Sequence, residues 1–103
     1  MTLQWSDHAI KTFQNASDYI ADNFYPEYAD AFDADVLGTV ELLPENPMLG
    51  EEAYPGIGRP DLRKLLCHNK NWWIYYRIFG ETIEISQIVY ARQANLNPFG
   101  LTF

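Results

Sequence analysis

Residues 59–93 constrain the fold of this 103-residue chain more than any other part of it. Three runs there are rich in Leu, Ile, Val and aromatic residues, at Leu62–Cys67, Trp72–Phe79 and Ile83–Tyr90. Short polar breaks at residues 68–71 and 80–82 separate them. Runs of β-favouring residues between turn-like breaks are typical of an antiparallel meander. We therefore predict a three-stranded antiparallel sheet on which the rest of the chain packs.

The N-terminal part predicts two helices. Between Asp7 and Asn23, apolar residues recur every three or four positions, which indicates one buried helical stripe. Pro26 suits the first turn of a second helix, and Pro44 ends it. A short connection between two helices favours an antiparallel hairpin. The expected stripes are Ala9, Ile10, Phe13, Ala16, Ile20 and Phe24 in the first helix, and Ala29, Phe32, Val36, Val40 and Leu43 in the second.

The resulting fold class is α+β, with a helix hairpin packed on a curved antiparallel sheet of three to four strands in the order β-α-α-β-β-β. Leu3–Trp5 is expected to form a short edge strand. Gly38, inside the second helix, is expected to mark a close helix–helix approach because glycine is unfavourable there. Residues 1–93 are predicted to form a single domain, followed by an apolar tail at 94–103 that docks on its own sheet or on a second copy.

Composition excludes several classes of protein. Hydrophobic residues make up 48% of the chain and aromatic residues 16%, which is enough for a core. We find no apolar run long enough to span a membrane and no secretion signal, and the single cysteine favours a reducing, cytoplasmic setting. Cys67 is expected in the core and His68 in an exposed turn without a role. With His8 as the other histidine, their spacing predicts no metal site.

The charge is distributed unevenly along the chain. Residues 1–52 carry eleven acidic side chains and one basic one, whereas residues 53–103 carry three acidic and six basic ones. The net charge of −7 argues against broad nucleic-acid binding, because phosphate contacts dominate that affinity. The sheet half could still present a local positive patch. The loop at residues 46–60 is long enough to suggest a function. Its G-x-G piece at 56–58 lacks the Lys and Ser/Thr of a phosphate-binding loop. We therefore predict no nucleotide binding there, and no cofactor.

The central run has two different faces. Alternation places Trp72, Ile74, Tyr76 and Ile78 together, and this more apolar set is assigned to the core. Trp73, Tyr75 and Arg77 then lie on the opposite face, which is a candidate binding surface unless the tail covers it. The last run changes phase between Ile85 and Ile88, which predicts a β-bulge near Ser86–Gln87.

Several short motifs occur in a recognisable order. They are N-P-x-L-G at residues 46–50, L-R at 62–63, W-I-Y-Y-R-I at 73–78 and I-x-x-I-V-Y-x-R at 85–92. In this order and spacing the chain resembles, over residues 3–93, the RelE/ParE superfamily of toxins from bacterial type II toxin–antitoxin modules. The resemblance implies a helical hairpin packed on a curved antiparallel sheet, in agreement with the patterns above.

The superfamily divides by activity, and the resemblance suggests residues for each role. RelE-like members cut mRNA on the ribosome, and ParE-like members inhibit DNA gyrase. The resemblance gives Arg63, Arg77, Tyr90 and Arg92 as candidate catalytic residues, with Arg92 the closest match to a phosphate-contacting arginine of the RNase branch. Trp73, Tyr75, Arg59 and Lys64 are candidate binding residues. Arg63, Arg77 and Arg92 have an alternative role in salt bridges to Asp61, Glu84 or helix acids.

Three functions remain open at this stage: a ParE-like gyrase inhibitor, a RelE-like ribosome-dependent endoribonuclease, and a member that has lost toxicity and only binds its partner. Glu45, Glu51 and Glu52 occupy a loop that is often rich in Lys in the RNase branch, and no His lies near the last strand, so the ParE-like branch is favoured. The first and the third imply a cognate antitoxin protein as partner, with a disordered segment that folds into a helix or strand across the sheet and apolar grooves. A homodimer or a heterotetramer with the antitoxin is left open.

Overall fold

The computed structural model describes residues 1–93 and 98–100. Two helices and five strands follow one another in the described part. Strand β1 spans Thr2–Trp5, helix α1 Asp7–Asn23 and helix α2 Pro26–Val40; the remaining strands are β2 at Glu51–Glu52, β3 at Leu62–Cys67, β4 at Trp72–Phe79 and β5 at Thr82–Tyr90. The α+β class, the helix hairpin and the three-stranded meander are confirmed. None of these helices is both long and apolar enough to cross a membrane.

The sheet departs from the prediction in two details. Its strand order is β1-β5-β4-β3-β2, so it has five strands and not three or four. The additional strand is β2, whose two residues pair antiparallel with Lys64 and Arg63 of β3. The edge strand β1 is confirmed, but it runs parallel to β5. The helical hairpin and three strands separate β1 from β5 in the chain, so no short turn requires them to be antiparallel.

The predicted bulge is present in β5. Tyr75 pairs with Gln87 and Tyr76 pairs with Ile85, which leaves Ser86 as the extra residue. The insertion changes the phase of the side chains, so Ile83 and Ile85 before it and Ile88 after it all face the core.

Helix α1 is held along β5 by two hydroxyl groups. The Ser6 Oγ caps the helix by accepting the N–H of Ala9 at 3.0 Å, and it donates to the carbonyl of Ser86 at 3.2 Å. The Thr12 Oγ1 accepts the backbone N–H of Ile88 at 3.1 Å. Because α1 and β5 run side by side, the C-terminal end of α1 lies near the C-terminal end of β5.

The core lies between the hairpin and one face of the sheet, and the assignment of Ile74 and Tyr76 to this face is confirmed. Two members of the predicted α1 stripe are exposed rather than buried: Ile10 is 42% exposed and Phe24 is 59% exposed. Phe24 follows the end of α1 and so leaves the helical stripe. The fully buried large side chains are Tyr76, Phe32, Leu43, Leu62, Ile74, Ile83, Ile85, Val36 and Val40.

Gly38 does not mark a close helix contact, so this prediction was wrong. The residue is exposed, and a Cβ atom placed on it would meet no atom within 4 Å. The described part of the tail does dock on its own sheet. Pro98 is buried, and the Phe99 ring lies 5.6 Å from the Tyr75 ring and 6.0 Å from the Tyr54 ring. The other apolar tail residues, Leu96, Leu101 and Phe103, lie outside the described residues, and the boundary at residue 93 stays a prediction.

Candidate functional site

Arg63 holds the loop that leads from α2 to the sheet. Its Nε and Nη2 atoms donate to the carbonyl of Gly50 at 3.0 and 2.8 Å, and its Nη1 donates to the carbonyl of Pro60 at 2.9 Å. The hydroxyl of Tyr76 accepts the Gly50 N–H at 2.8 Å and donates to the Pro47 carbonyl at 2.8 Å. Arg63 and the Tyr76 hydroxyl therefore hold the backbone of the N-P-x-L-G motif in place. This structural role explains part of the loop at residues 46–60, for which the sequence suggested a function.

Two further predicted cations, Arg59 and Arg77, each pair with a carboxylate. Arg59 makes two hydrogen bonds with Asp61 at 2.9 and 3.0 Å, and the pKa of the Asp61 carboxyl is lowered mainly by this hydrogen bonding. Arg77 donates to Glu84 at 3.4 Å, and its guanidinium lies 4.7 Å from the Phe79 ring centroid. The Nε of Arg77 is buried without a hydrogen-bond partner in the described chain. The salt-bridge alternative considered for Arg63, Arg77 and Arg92 thus holds for Arg77. The ion pair of Arg59 with Asp61 was not predicted from the sequence.

The face of the sheet opposite the hairpin carries the predicted binding residues. The Lys64 Nζ lies 4.5 Å above the Trp73 ring, and the Trp73 and Tyr75 ring centroids are 6.4 Å apart. Burial of Tyr75, against which Phe99 of the tail packs, raises the pKa of its phenol. The structure therefore brings Lys64, Trp73 and Tyr75 together, but the tail covers part of this surface.

Tyr90 and Arg92 lie in a different place, at one wall of a groove between the hairpin and the end of the sheet. The cavity measures about 1050 Å³, and we call it the hairpin groove. Tyr90 packs edge-on against Trp72 with ring centroids 5.3 Å apart. Arg92 is exposed, and no hydrogen bond or ion pair joins it to any residue within 1–93 or 98–100.

The opposite wall of the hairpin groove is aromatic, and the sequence did not single it out as a site. It is formed by Tyr19, Ile20, Phe24, Tyr28 and Ala31 of the hairpin region. Tyr19, Phe24 and Tyr28 are 59%, 59% and 55% exposed. The available signal was the position of Tyr19 and Tyr28 near the connection between the two helices, off the predicted stripes, where large aromatic side chains are unusual.

His68 is not an idle turn residue, so that prediction was wrong. Its Nδ1 lies 2.6 Å from Oδ2 of Asp35 on α2, and its ring packs edge-on against Phe32 with centroids 5.7 Å apart. The contact links the β3–β4 turn to the hairpin beside the groove. The neighbouring Cys67 is buried, as predicted, and its pKa is raised to about 11 by burial and by the charge of Asp35. A thiol with this pKa is a poor nucleophile at neutral pH.

The four predicted catalytic residues do not form one cluster. Tyr90 pairs across the sheet with Trp72, whereas Arg77 lies five residues further along β4, about 17 Å away at the usual rise per residue. Arg63 lies on β3, next to the loop at residues 47–50. Tyr90 and Arg92 are the pair that shares a cavity. In the described part of the chain, no group of three His, Cys, Asp or Glu side chains is placed to hold a metal ion.

Comparison with solved structures supports a known fold. A chain in the structure titled "Chromosomal ParDE TA system from P. aeruginosa" superimposes with a TM-score of 0.73 and 22% sequence identity. The match covers 87% of this chain and 95% of that chain. At this level of identity the similarity establishes the fold alone. No functionally curated sequence matches the chain.

The family follows from the sequence itself. The sequence profile described as "ParE toxin of type II toxin-antitoxin system, parDE" matches residues 3–95, which is nearly the whole chain. The matched region includes the N-P-x-L-G loop, all but the first residue of the five-stranded sheet and both walls of the hairpin groove. The chain belongs to the ParE toxin family of type II toxin–antitoxin systems.

Proposed function

We propose that this ParE-family toxin acts by binding and inhibiting DNA gyrase, and that a cognate antitoxin neutralises it by occupying the hairpin groove. One observation carries the choice of an inhibitor over a nuclease. Three of the four predicted arginines are used within the chain: Arg63 on backbone carbonyls, Arg59 on Asp61 and Arg77 on Glu84. Arg92 is the arginine left for a partner among the described residues.

An RNase of this type needs several groups in one place. A base must take the proton of the 2′-hydroxyl, an acid must protonate the leaving oxygen, and cations must stabilise the charge that develops on the phosphate. Here Arg63 and Arg77 lie away from Tyr90 and Arg92. The separation of these residues supports a protein that acts by binding and not by cutting RNA.

The hairpin groove has the properties of a site for a folded peptide segment. Its walls present Tyr19, Phe24 and Tyr28 on one side and Trp72 and Tyr90 on the other. Grooves of this kind accept the apolar face of an amphipathic helix. Arg92 at the rim, which has no ion-pair partner among residues 1–93 and 98–100, offers a positive charge to an acidic residue of such a segment. The antitoxin is the partner proposed for this groove, and the cytoplasmic location and the assembly state stay predictions from the sequence.

The toxicity is tested by expressing the chain alone in a bacterial host. Growth, a DNA-damage reporter and cleavage of translated mRNA are followed together. We expect arrest with a DNA-damage response, reduced in Arg92→Ala and retained in Lys11→Ala, which removes an exposed cation from α1. Arrest with mRNA cuts would replace the proposal with the RelE-like activity, and growth at full soluble expression would replace it with a member that only binds its partner.

The groove is tested with two matched arginine insertions on α2. Ala31 lines the hairpin groove, whereas Ala34 is exposed on the same helix and does not line it. Ala31→Arg should block the groove and free the toxin from the co-expressed product of the neighbouring reading frame. Ala34→Arg should leave neutralisation unchanged. Equal neutralisation of both variants would contradict the assignment of the groove.

A further inference from the structure

The connection between α1 and α2 carries an unusual concentration of exposed aromatic rings. Tyr19, Phe24, Tyr25 and Tyr28 are 59%, 59%, 62% and 55% exposed. They form two edge-to-face pairs, with the Tyr19 and Phe24 rings 6.5 Å apart and the Tyr25 and Tyr28 rings 5.4 Å apart. We call these rings, with the carboxylates of Asp18, Asp22 and Glu27, the hairpin apex.

The charged side chains within residues 18–28, the segment that holds these rings, all have one sign. Asp18, Asp22 and Glu27 are exposed, and none of them takes part in an ion pair within the described residues. Residues 12–58 contain no Lys, Arg or His at all. A cation to balance this charge must therefore come from another part of the chain or from a partner, and the three ion pairs of the described chain all lie elsewhere.

The C-terminal end of α1 also favours a positively charged group beside it. The carbonyl end of a helix carries partial negative charge and is stabilised by cations. The last turn of α1 has no basic residue, and it contains Asp22. The helix dipole and the carboxylate thus both favour a positive group at this point.

Tyr25 departs from the residue types that suit its position. It is the N-cap of α2, where Ser, Thr, Asp or Asn would accept a backbone N–H, and its side chain makes no capping hydrogen bond. The chain therefore has an exposed ring where a capping residue would stabilise the helix. Departures of this kind are expected at sites retained for binding.

From these observations we infer that the hairpin apex binds a cationic segment of a protein partner, whose arginine or lysine side chains lie against the rings and pair with the carboxylates. Cations are attracted to the faces of Tyr and Phe rings. The negative charge of the apex repels nucleic-acid phosphates and anionic lipids, so a basic protein segment is the occupant of matching chemistry. Tyr19, Phe24 and Tyr28 also line the hairpin groove, whereas Tyr25 and the three carboxylates lie outside it. The inference does not depend on gyrase inhibition.

The test uses a hexa-arginine peptide as probe and the full chain labelled for backbone amide NMR. We expect chemical-shift changes centred on residues 18–28 that weaken as salt is added. Replacing two rings in a Tyr25→Leu, Tyr28→Leu variant should raise Kd about five- to thirty-fold, because each exposed cation–ring contact is modest. The Tyr25→Phe, Tyr28→Phe variant keeps the rings and should bind nearly as the wild type does.

Charge is tested separately from the rings. An Asp22→Asn, Glu27→Gln variant should raise Kd about two- to ten-fold. A matched variant, Glu41→Gln with Glu45→Gln, removes the same charge from exposed positions after α2 and should change Kd less than about two-fold. The spectrum of each variant also verifies its fold. No binding to the wild type, shifts centred elsewhere, or equal effects of the two charge variants would overturn the inference.

Discussion

The hydroxyl of Tyr76 accepts a hydrogen bond from the backbone N–H of Gly50 at 2.8 Å, and both residues are buried. The same hydroxyl donates to the carbonyl of Pro47. Because Arg63 also donates two hydrogen bonds to the Gly50 carbonyl, both backbone groups of this glycine are fixed by the sheet. The sheet thus fixes the loop after α2 at this glycine, and β2 begins at the next residue.

Gly50→Ala should lower the free energy of unfolding by about 2 kcal/mol or more, because overpacking a fixed site is costly. A Cβ atom there would lie 2.7 Å from the Lys64 carbonyl oxygen and 2.8 Å from the Tyr76 ring and hydroxyl. Urea unfolding followed by circular dichroism measures the change.

Gly38→Ala is the matched control, because it adds the same methyl group where nothing lies within 4 Å. In a helix interior it should raise the free energy of unfolding by about 0.5–1 kcal/mol. Equal effects of the two substitutions would show that Gly50 is not seated against Tyr76 as described.

Replacing Arg63 should destabilise the fold, whereas replacing Arg92 should not. Arg63→Ala removes three hydrogen bonds to backbone carbonyls and should lower the free energy of unfolding by about 1–3 kcal/mol. Arg92→Ala removes an exposed side chain without a partner in the described chain and should change it by less than about 0.5 kcal/mol. A stable Arg63→Ala variant with altered toxicity would instead support the direct role predicted from the sequence.

The buried Cys67 thiol should make the stability of the folded chain depend on pH. Its pKa is raised to about 11 from 9.0, so the folded chain keeps the thiol proton where the unfolded chain loses it. Its contribution to stability is complete below about pH 9 and is lost as the pH rises towards 11. Unfolding of the wild type should therefore become easier over this range relative to Cys67→Ala.

The reactivity of the Cys67 thiol tests its raised pKa in a second way. A thiol-specific reagent at pH 8 should label folded Cys67 about a hundred-fold more slowly than the urea-unfolded chain, because thiolate is the reacting form. Equal labelling rates in the folded and unfolded chains would mean that Cys67 is not buried beside Asp35.

The β3–β4 turn stores backbone strain that a substitution can release. His68, Asn69 and Lys70 have φ values of 50°, 60° and 63°, in the left-handed region that side chains other than Asn and Asp disfavour. Lys70→Gly should therefore be about 1 kcal/mol more stable than Lys70→Ala, in thermal or urea unfolding. A Lys70→Ala variant as stable as Lys70→Gly would indicate that the turn does not adopt this conformation.

Much of the fold was predictable because it rests on hydrophobic pattern. The alternation in β4 and the phase change at Ser86 gave the core face and the bulge. Strand β2 was not predictable, because Glu51 and Glu52 have no β-favouring pattern and pair only where Gly50 is fixed beside β3. The parallel pairing of β1 with β5 depends on tertiary packing across more than seventy residues.

The candidate site was predicted less completely than the fold. Sequence pattern placed Trp73 and Tyr75 on one face of β4, but the ion pairs of Arg59 and Arg77 and the carbonyl contacts of Arg63 depend on which residues the sheet brings together. The aromatic wall formed by Tyr19, Phe24 and Tyr28 becomes visible only when α1 is placed beside the end of β5. Helical periodicity alone gives no reason to connect these rings with Tyr90 and Arg92.

The most direct test of the account is a supercoiling assay with purified DNA gyrase and the purified chain. We predict that the wild type inhibits supercoiling at stoichiometric concentrations, that Arg92→Ala is at least several-fold weaker, and that Lys11→Ala is not. Unchanged gyrase activity in the presence of excess folded wild type, together with mRNA cleavage in a translation reaction, would contradict the account.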